Sequence, residues 1–163
     1  MSEHVLHAEP THSVWDRSIA PRLRVAPGDL VAFECVDASG GQVRPGMTVD
    51  EFLAIDRTRI HALTGPVWVE GAEPGDVLQV DVLSTRHAEW GWSSVIAGLG
   101  FLKDRFRDPF LFHWALDGES TSSLYPAVVP VRPFLGVMGV ARAEDGSFRT
   151  RPPGPFGDRK SVV

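Results

Sequence analysis

The chain has 163 residues, 43% of them hydrophobic, which is about one domain's length with enough apolar material for a core. A formal charge of −5 without any Lys/Arg block argues against a nucleic-acid partner. The single cysteine, Cys35, excludes an intrachain disulfide and favours a cytoplasmic setting; residues 1–4 lack a signal-peptide pattern, and no apolar run is long enough to span a bilayer.

Sixteen glycines and thirteen prolines suit short strands joined by turns. In chain order, strands are expected over 5–8, 29–36, 67–70, 77–83, 127–131 and 135–141. Turn signals separate them at Pro27-Gly28-Asp29, Ser39-Gly40-Gly41, Pro74-Gly75-Asp76 and Asp145-Gly146. The first and third look alike, which reads as reused turn chemistry rather than an internal repeat. One short helix is expected over 48–54, because Thr48-Val49-Asp50-Glu51 has the form of a capping box. A further helical turn is expected near 101–106. The fold class is mainly β, a sandwich- or barrel-like lobe with minor helix.

Two strands carry carboxylates in different settings. Along 77–82, Leu78, Val80 and Val82 point one way and Gln79 and Asp81 the other, so one face is wet. Along 30–37 both faces are apolar until Glu34. A strand buried on both sides must pair, protonate or use such a carboxylate. Asp37 marks the end of that strand or joins Glu34 in a site. Gly65-Pro66-Val67-Trp68-Val69-Glu70-Gly71 puts Glu70 at a strand end fixed by glycines, a common place for a functional carboxylate.

His12 and Asp16, four residues apart, share a face on either a helix or a strand. They can ligate a metal or orient one another, and the plainer reading is a surface pair beside a packed Trp15. His61 reaches toward Glu70 if the chain turns at Gly65-Pro66; otherwise it is a loop histidine. His4, His7, His87 and His113 belong to no constellation. Cys35 has no elbow or adjacent base and is expected to be a small buried strand residue. No Gly-x-Ser-x-Gly elbow or glycine-rich phosphate loop is present. Trp90-Gly91-Trp92 and the aromatic cluster at 106–110 either wall an apolar pocket or pack a core.

Several of these segments in order resemble the acetamidase/formamidase family. They are the 65–76 motif, Pro27-Gly28-Asp29, Phe33-Glu34-Cys35-Val36-Asp37-Ala38, and Arg132-Pro133-Phe134-Leu135-Gly136-Val137-Met138-Gly139-Val140-Ala141. His12 through Asp16, Gly91-Trp92 and Gly98-Leu99-Gly100 add to the match, which runs over about 9–156. The resemblance implies hydrolysis of the C–N bond of small linear amides to a carboxylate and ammonia. It implies a larger β-rich α+β enzyme of more than one lobe, assembled as a homo-oligomer, with a divalent zinc or calcium ion in some members. On that footing Glu34, Asp37 and Glu70 are expected in the acid/base cluster, and His12, Asp16 and His61 as metal or substrate contacts.

Family members are nearly twice this length. Residues 1–157 are therefore expected to be the N-terminal lobe of a shortened copy, and 158–163 a tail that does not resemble the family. The competing class is a non-enzymatic β domain that binds a small ligand or a partner subunit.

Overall fold

Short runs of β-branched and aromatic residues between glycine and proline turns form short strands throughout the computed structural model, which describes residues 1–150 and the pair Gly157–Asp158. The tail expected over 158–163 lies, apart from Asp158, outside the described residues. The strands in chain order are β1 (Glu3–Leu6), β2 (Thr11–His12), β3 (Val14–Trp15), β4 (Leu23–Val25), β5 (Leu30–Phe33), β6 (Leu63–Thr64) and β7 (Val67–Val69). They continue with β8 (Trp90–Val95), β9 (Phe110–Ala115), β10 (Ser120–Thr121), β11 (Val129–Pro130), β12 (Met138–Gly139), β13 (Phe148–Arg149) and β14 (Gly157–Asp158). One helix, α1 (Val49–Leu53), completes the described elements. The mainly β class with minor helix is what the sequence led us to expect.

The chain forms two compact units. The first comprises Met1–Gln42, Asp56–Asp81 and the residues from Leu135 onward. Its ladders are all two-stranded: β1 with β5 and β4 with β7, both parallel, and β2 with β6, β3 with β13 and β12 with β14, all antiparallel. Leu6, Trp15, Val25 and Leu63 are its buried apolar side chains.

The second unit comprises Val43–Ile55 and Val82–Phe134. Its frame is the antiparallel pair β8 and β9, in register from Trp90 opposite Ala115 to Val95 opposite Phe110. β10 and β11 form a second, two-residue ladder. The expected capping box forms: the Glu51 amide donates to the Thr48 hydroxyl, and the Glu51 carboxylate accepts from the Thr48 amide at 2.8 Å. This satisfies two otherwise orphaned donors at the start of a five-residue helix. The helix buries Phe52, 1% exposed, against Val43 and Leu111, with the Trp92 ring 5.4 Å from the Phe52 ring.

Three expectations are corrected. The strand expected over 29–36 ends at Phe33, and Ala32, Phe33, Glu34 and Cys35 are exposed. Leu30 and Val31 are half-buried and Ala32 and Phe33 exposed, so the expected burial of both faces is not seen among the described residues. Cys35 is accordingly an exposed thiol rather than a buried one. The segment expected as a strand over 77–83 joins no ladder among the described residues.

Candidate active site

The site is built around the ends of two parallel ladders in the first unit. β5 runs beside β1 from Leu30 opposite Glu3 to Phe33 opposite Leu6. One residue further the Glu34 amide donates to the Leu6 carbonyl at 2.9 Å, which extends the ladder and fixes the Glu34 backbone. The Thr64 hydroxyl donates to the Glu34 carbonyl at 2.8 Å. Backbone and neighbour thus hold Glu34 from two sides while its side chain stays in solvent.

That side chain meets a histidine. His7 Nδ1 and Glu34 Oε2 are 3.0 Å apart, with the two side chains 74% and 58% exposed. An ionised carboxylate only accepts, so in that form of Glu34 the imidazole Nδ1–H is the donor of this bond. In water such a pair adds at most about 1 kcal/mol to stability. What it supplies is a carboxylate and an imidazole held in contact.

Arg22 holds the other side of His7. Its guanidinium donates to the carbonyls of His7 (2.9 Å), Ala8 (3.3 Å), Glu9 (2.6 Å) and Pro10 (2.9 Å). Its amide donates to the Pro66 carbonyl at 2.9 Å. A planar fork of five donors can gather several carbonyls in this way, which an ammonium cannot. Arg22 therefore ties the 7–10 segment to the start of β7. Burial, aided by the Arg22 charge, lowers the pKa of His12, so the neutral ring is favoured there.

The other residues named from the sequence fall nearby or apart. Segments 34–40 and 59–64 run side by side: the His61 amide donates to the Ala38 carbonyl at 2.8 Å, and Gly40 packs on the Arg59 carbonyl. His61 takes a left-handed φ of 56°, uncommon for a residue with a Cβ. Asp37 organises the turn between these segments. Its carboxylate accepts from the buried Ser39 hydroxyl (2.7 Å) and the Gly41 amide (2.9 Å). Glu70 follows the last residue of β7, and its amide donates to the Val25 carbonyl at 2.8 Å. That is the far end of β7 from Pro66 and Arg22, so Glu34 and Glu70 each extend a parallel ladder without sharing an end of β7. Trp68, on the same strand face as Glu70, carries the Arg24 guanidinium 5.0 Å from its ring.

His12, Asp16 and His61 do not make a ligand set. His12 stands opposite Leu63 in the β2–β6 ladder. Asp16 Oδ1 accepts from the Ser18 amide and hydroxyl, and Oδ2 accepts from the Ser147 hydroxyl. The Ser147 and Ser18 bonds hold this carboxyl at about 2. Among the described residues no three His, Cys, Asp or Glu side chains are grouped to hold a metal ion. The donors named from the sequence therefore do not fit a resident zinc or calcium ion by themselves.

His7, Arg22 and Thr64 were not singled out in the sequence. His7 and Glu34 are 27 residues apart, and only the β1–β5 pairing aligns them. Once those two strands are paired in parallel, His7 and Glu34 each lie one residue past the pair; no local pattern announces that pairing.

The chain belongs to the Acetamidase/Formamidase family, whose model matches residues 2–147. It is 35% identical over 133 residues to a formamidase of Methylophilus methylotrophus, covering 78% of this chain and 32% of that one. It is 32% identical over 158 residues to an acetamidase of Mycolicibacterium smegmatis, covering 89% of this chain and 37% of that one. Its fold matches the crystal structure of an acetamidase from Bacillus halodurans with a TM-score of 0.87 at 28% identity, over 95% of this chain and 52% of the other. The chain thus spans about a third of the length of these curated relatives and about half that of the solved structure. Among the described residues no helix is long and apolar enough to cross a membrane.

Proposed function

We propose that the protein carrying this sequence hydrolyses the C–N bond of small linear amides, formamide or acetamide in kind, to a carboxylate and ammonia. The observation that carries the reading is the family match over 2–147, and the strand-end Glu34 supplies a group able to do the proton work. Amide hydrolysis needs a water made nucleophilic, donors for the tetrahedral oxyanion and a proton for the departing amine.

Glu34 has the first role in this reading, with His7 as its hydrogen-bonded companion. A proton taken from water by the His7–Glu34 pair is then available to the leaving nitrogen, so one pair serves both halves of the reaction. Arg22 is a positioning residue that fixes the His7 backbone. Glu70 is retained as a second acid/base carboxylate at the other strand end. Asp37 enters through the turn it holds between Glu34 and His61. We further infer a cytoplasmic homo-oligomer, on the strength of the single cysteine and the family.

Ammonia release from formamide, acetamide and propionamide by the whole protein carrying this sequence tests the reading. Turnover of at least one amide is expected. A folded protein that releases no ammonia from any of them would favour the ligand- or subunit-binding alternative.

A further inference from the structure

The face of the β1–β5 ladder that carries His7 and Glu34 is apolar beside them. Side chains alternate along a strand, so Val5 and Ala32 share the face of His7 and Glu34, two residues before each. The register sets Val5 directly opposite Ala32, and the 3.0 Å contact of His7 with Glu34 follows on the same side. Val5 is 59% exposed, and Ala32 is exposed as well. The opposite face carries Leu6, 4% exposed, and the half-buried His4 and Val31; Phe33, at the strand end, is exposed there.

Successive pairs on one face of a ladder are about 7 Å apart along the strands. An amide reacting at His7 and Glu34 therefore turns its alkyl group either to solvent or onto Val5 and Ala32. The second arrangement removes hydrocarbon from water and is favoured. The next pair on this face is Glu3 opposite Leu30, and Glu3 is exposed. Alkyl chain laid beside an ionised carboxylate strips water from the charge, which is unfavourable. The apolar lining next to the acid/base pair is thus one residue pair deep before a charge begins.

We propose that Val5 and Ala32 form the acyl subsite for the amide, and that Glu3 limits it to short chains. The inference rests on His7 and Glu34 being the pair that handles the proton, and adds the residues that choose among substrates. The side chain at 32 is a single methyl, so its size sets how much alkyl group fits beside Glu34. The charge at 3 sets how far that group extends along the ladder.

The test is kcat/KM for ammonia release from formamide, acetamide, propionamide and butyramide by the whole protein carrying this sequence, wild type beside Ala32→Val and Glu3→Leu. Formamide has no alkyl group and is the reference within each variant. Ala32→Val, a substitution that suits an exposed strand position, is expected to lower the propionamide-to-formamide ratio at least about tenfold. Glu3→Leu is expected to raise the butyramide-to-formamide ratio at least about threefold. A purely structural role for either residue would move all four amides together and leave the ratios in place. Unmoved ratios in either variant, with wild type active, would overturn the subsite and leave the proposed function standing. No ammonia from wild type with any of the amides would overturn both.

Discussion

Glu34 Oε2 and His7 Nδ1 lie 3.0 Å apart, each side chain one position beyond a parallel strand pair that aligns them. The pair is solvated, so its worth lies in the proton work proposed for Glu34 with His7 rather than in stability. Glu34→Gln should change unfolding free energy by less than about 1 kcal/mol in urea titration. A larger loss would make the pair structural.

Arg22 should behave in the opposite way. Arg22→Ala removes four carbonyl contacts and should cost about 2–3 kcal/mol in the same titration. Arg22→Lys should recover little of this, because an ammonium cannot reproduce the fork. Full recovery by lysine would mean that charge alone matters at this position.

Gly40 and Gly41 separate steric contact from backbone conformation. Both have positive φ, at +71° and +76°. A Cβ on Gly40 would lie 2.5 Å from the Arg59 carbonyl oxygen, whereas one on Gly41 meets nothing within 4 Å. Gly41→Ala should cost about 1–2 kcal/mol for the left-handed backbone, and Gly40→Ala clearly more. Equal losses would show that the 59–62 segment yields easily.

Acid should loosen the first unit in a defined window. Asp16, bonded by Ser147 and Ser18, and Asp29, bonded by the Ser2 and Ala26 amides and by His4, are each held at about 2 against an ordinary 3.8. Their folded values are depressed, so their contribution is present above about 3.8 and is lost as pH falls toward 2. Urea midpoints should fall through that interval, and Asp29→Asn should flatten part of the decline. His12 adds a step at higher pH with the same sign. Its lowered folded pKa means that stability declines as pH drops below 6.5 until the folded value is passed. A ring-proton titration of His12 at or above 6.5 would contradict this.

Glu70 offers a cleaner separation of role from fold. Among the described residues its bond to the β4–β7 ladder is the one its backbone amide donates to Val25. Glu70→Ala should leave the melting temperature near wild type while abolishing amide turnover. Wild-type rates in that variant would remove Glu70 from the reacting set.

Features written in consecutive residues were legible in the sequence. The capping box at Thr48, the paired Pro-Gly-Asp turns and the Val67–Val69 strand formed where expected. The β8–β9 ladder escaped notice, because Trp90-Gly91-Trp92 and Phe110 read as aromatic clusters rather than as strands paired across a long connection. Two-residue strands such as Thr11–His12 and Leu63–Thr64 carry no periodicity to read. The same limit hid the site. Glu34 stood out by its apolar neighbours, yet the inference of two-sided burial failed, since Ala32, Phe33, Glu34 and Cys35 are exposed and apolar residue type does not encode what covers a face. His7 and Arg22 act through contacts across the ladder and onto carbonyls, which residue type and spacing do not encode.

The most direct test is ammonia release from formamide, acetamide and propionamide by the whole protein carrying this sequence, wild type beside Glu34→Gln. We expect turnover of at least one amide by wild type and a loss of at least about 100-fold in the variant. Undiminished turnover by Glu34→Gln, or no ammonia from the folded wild type, would contradict the account.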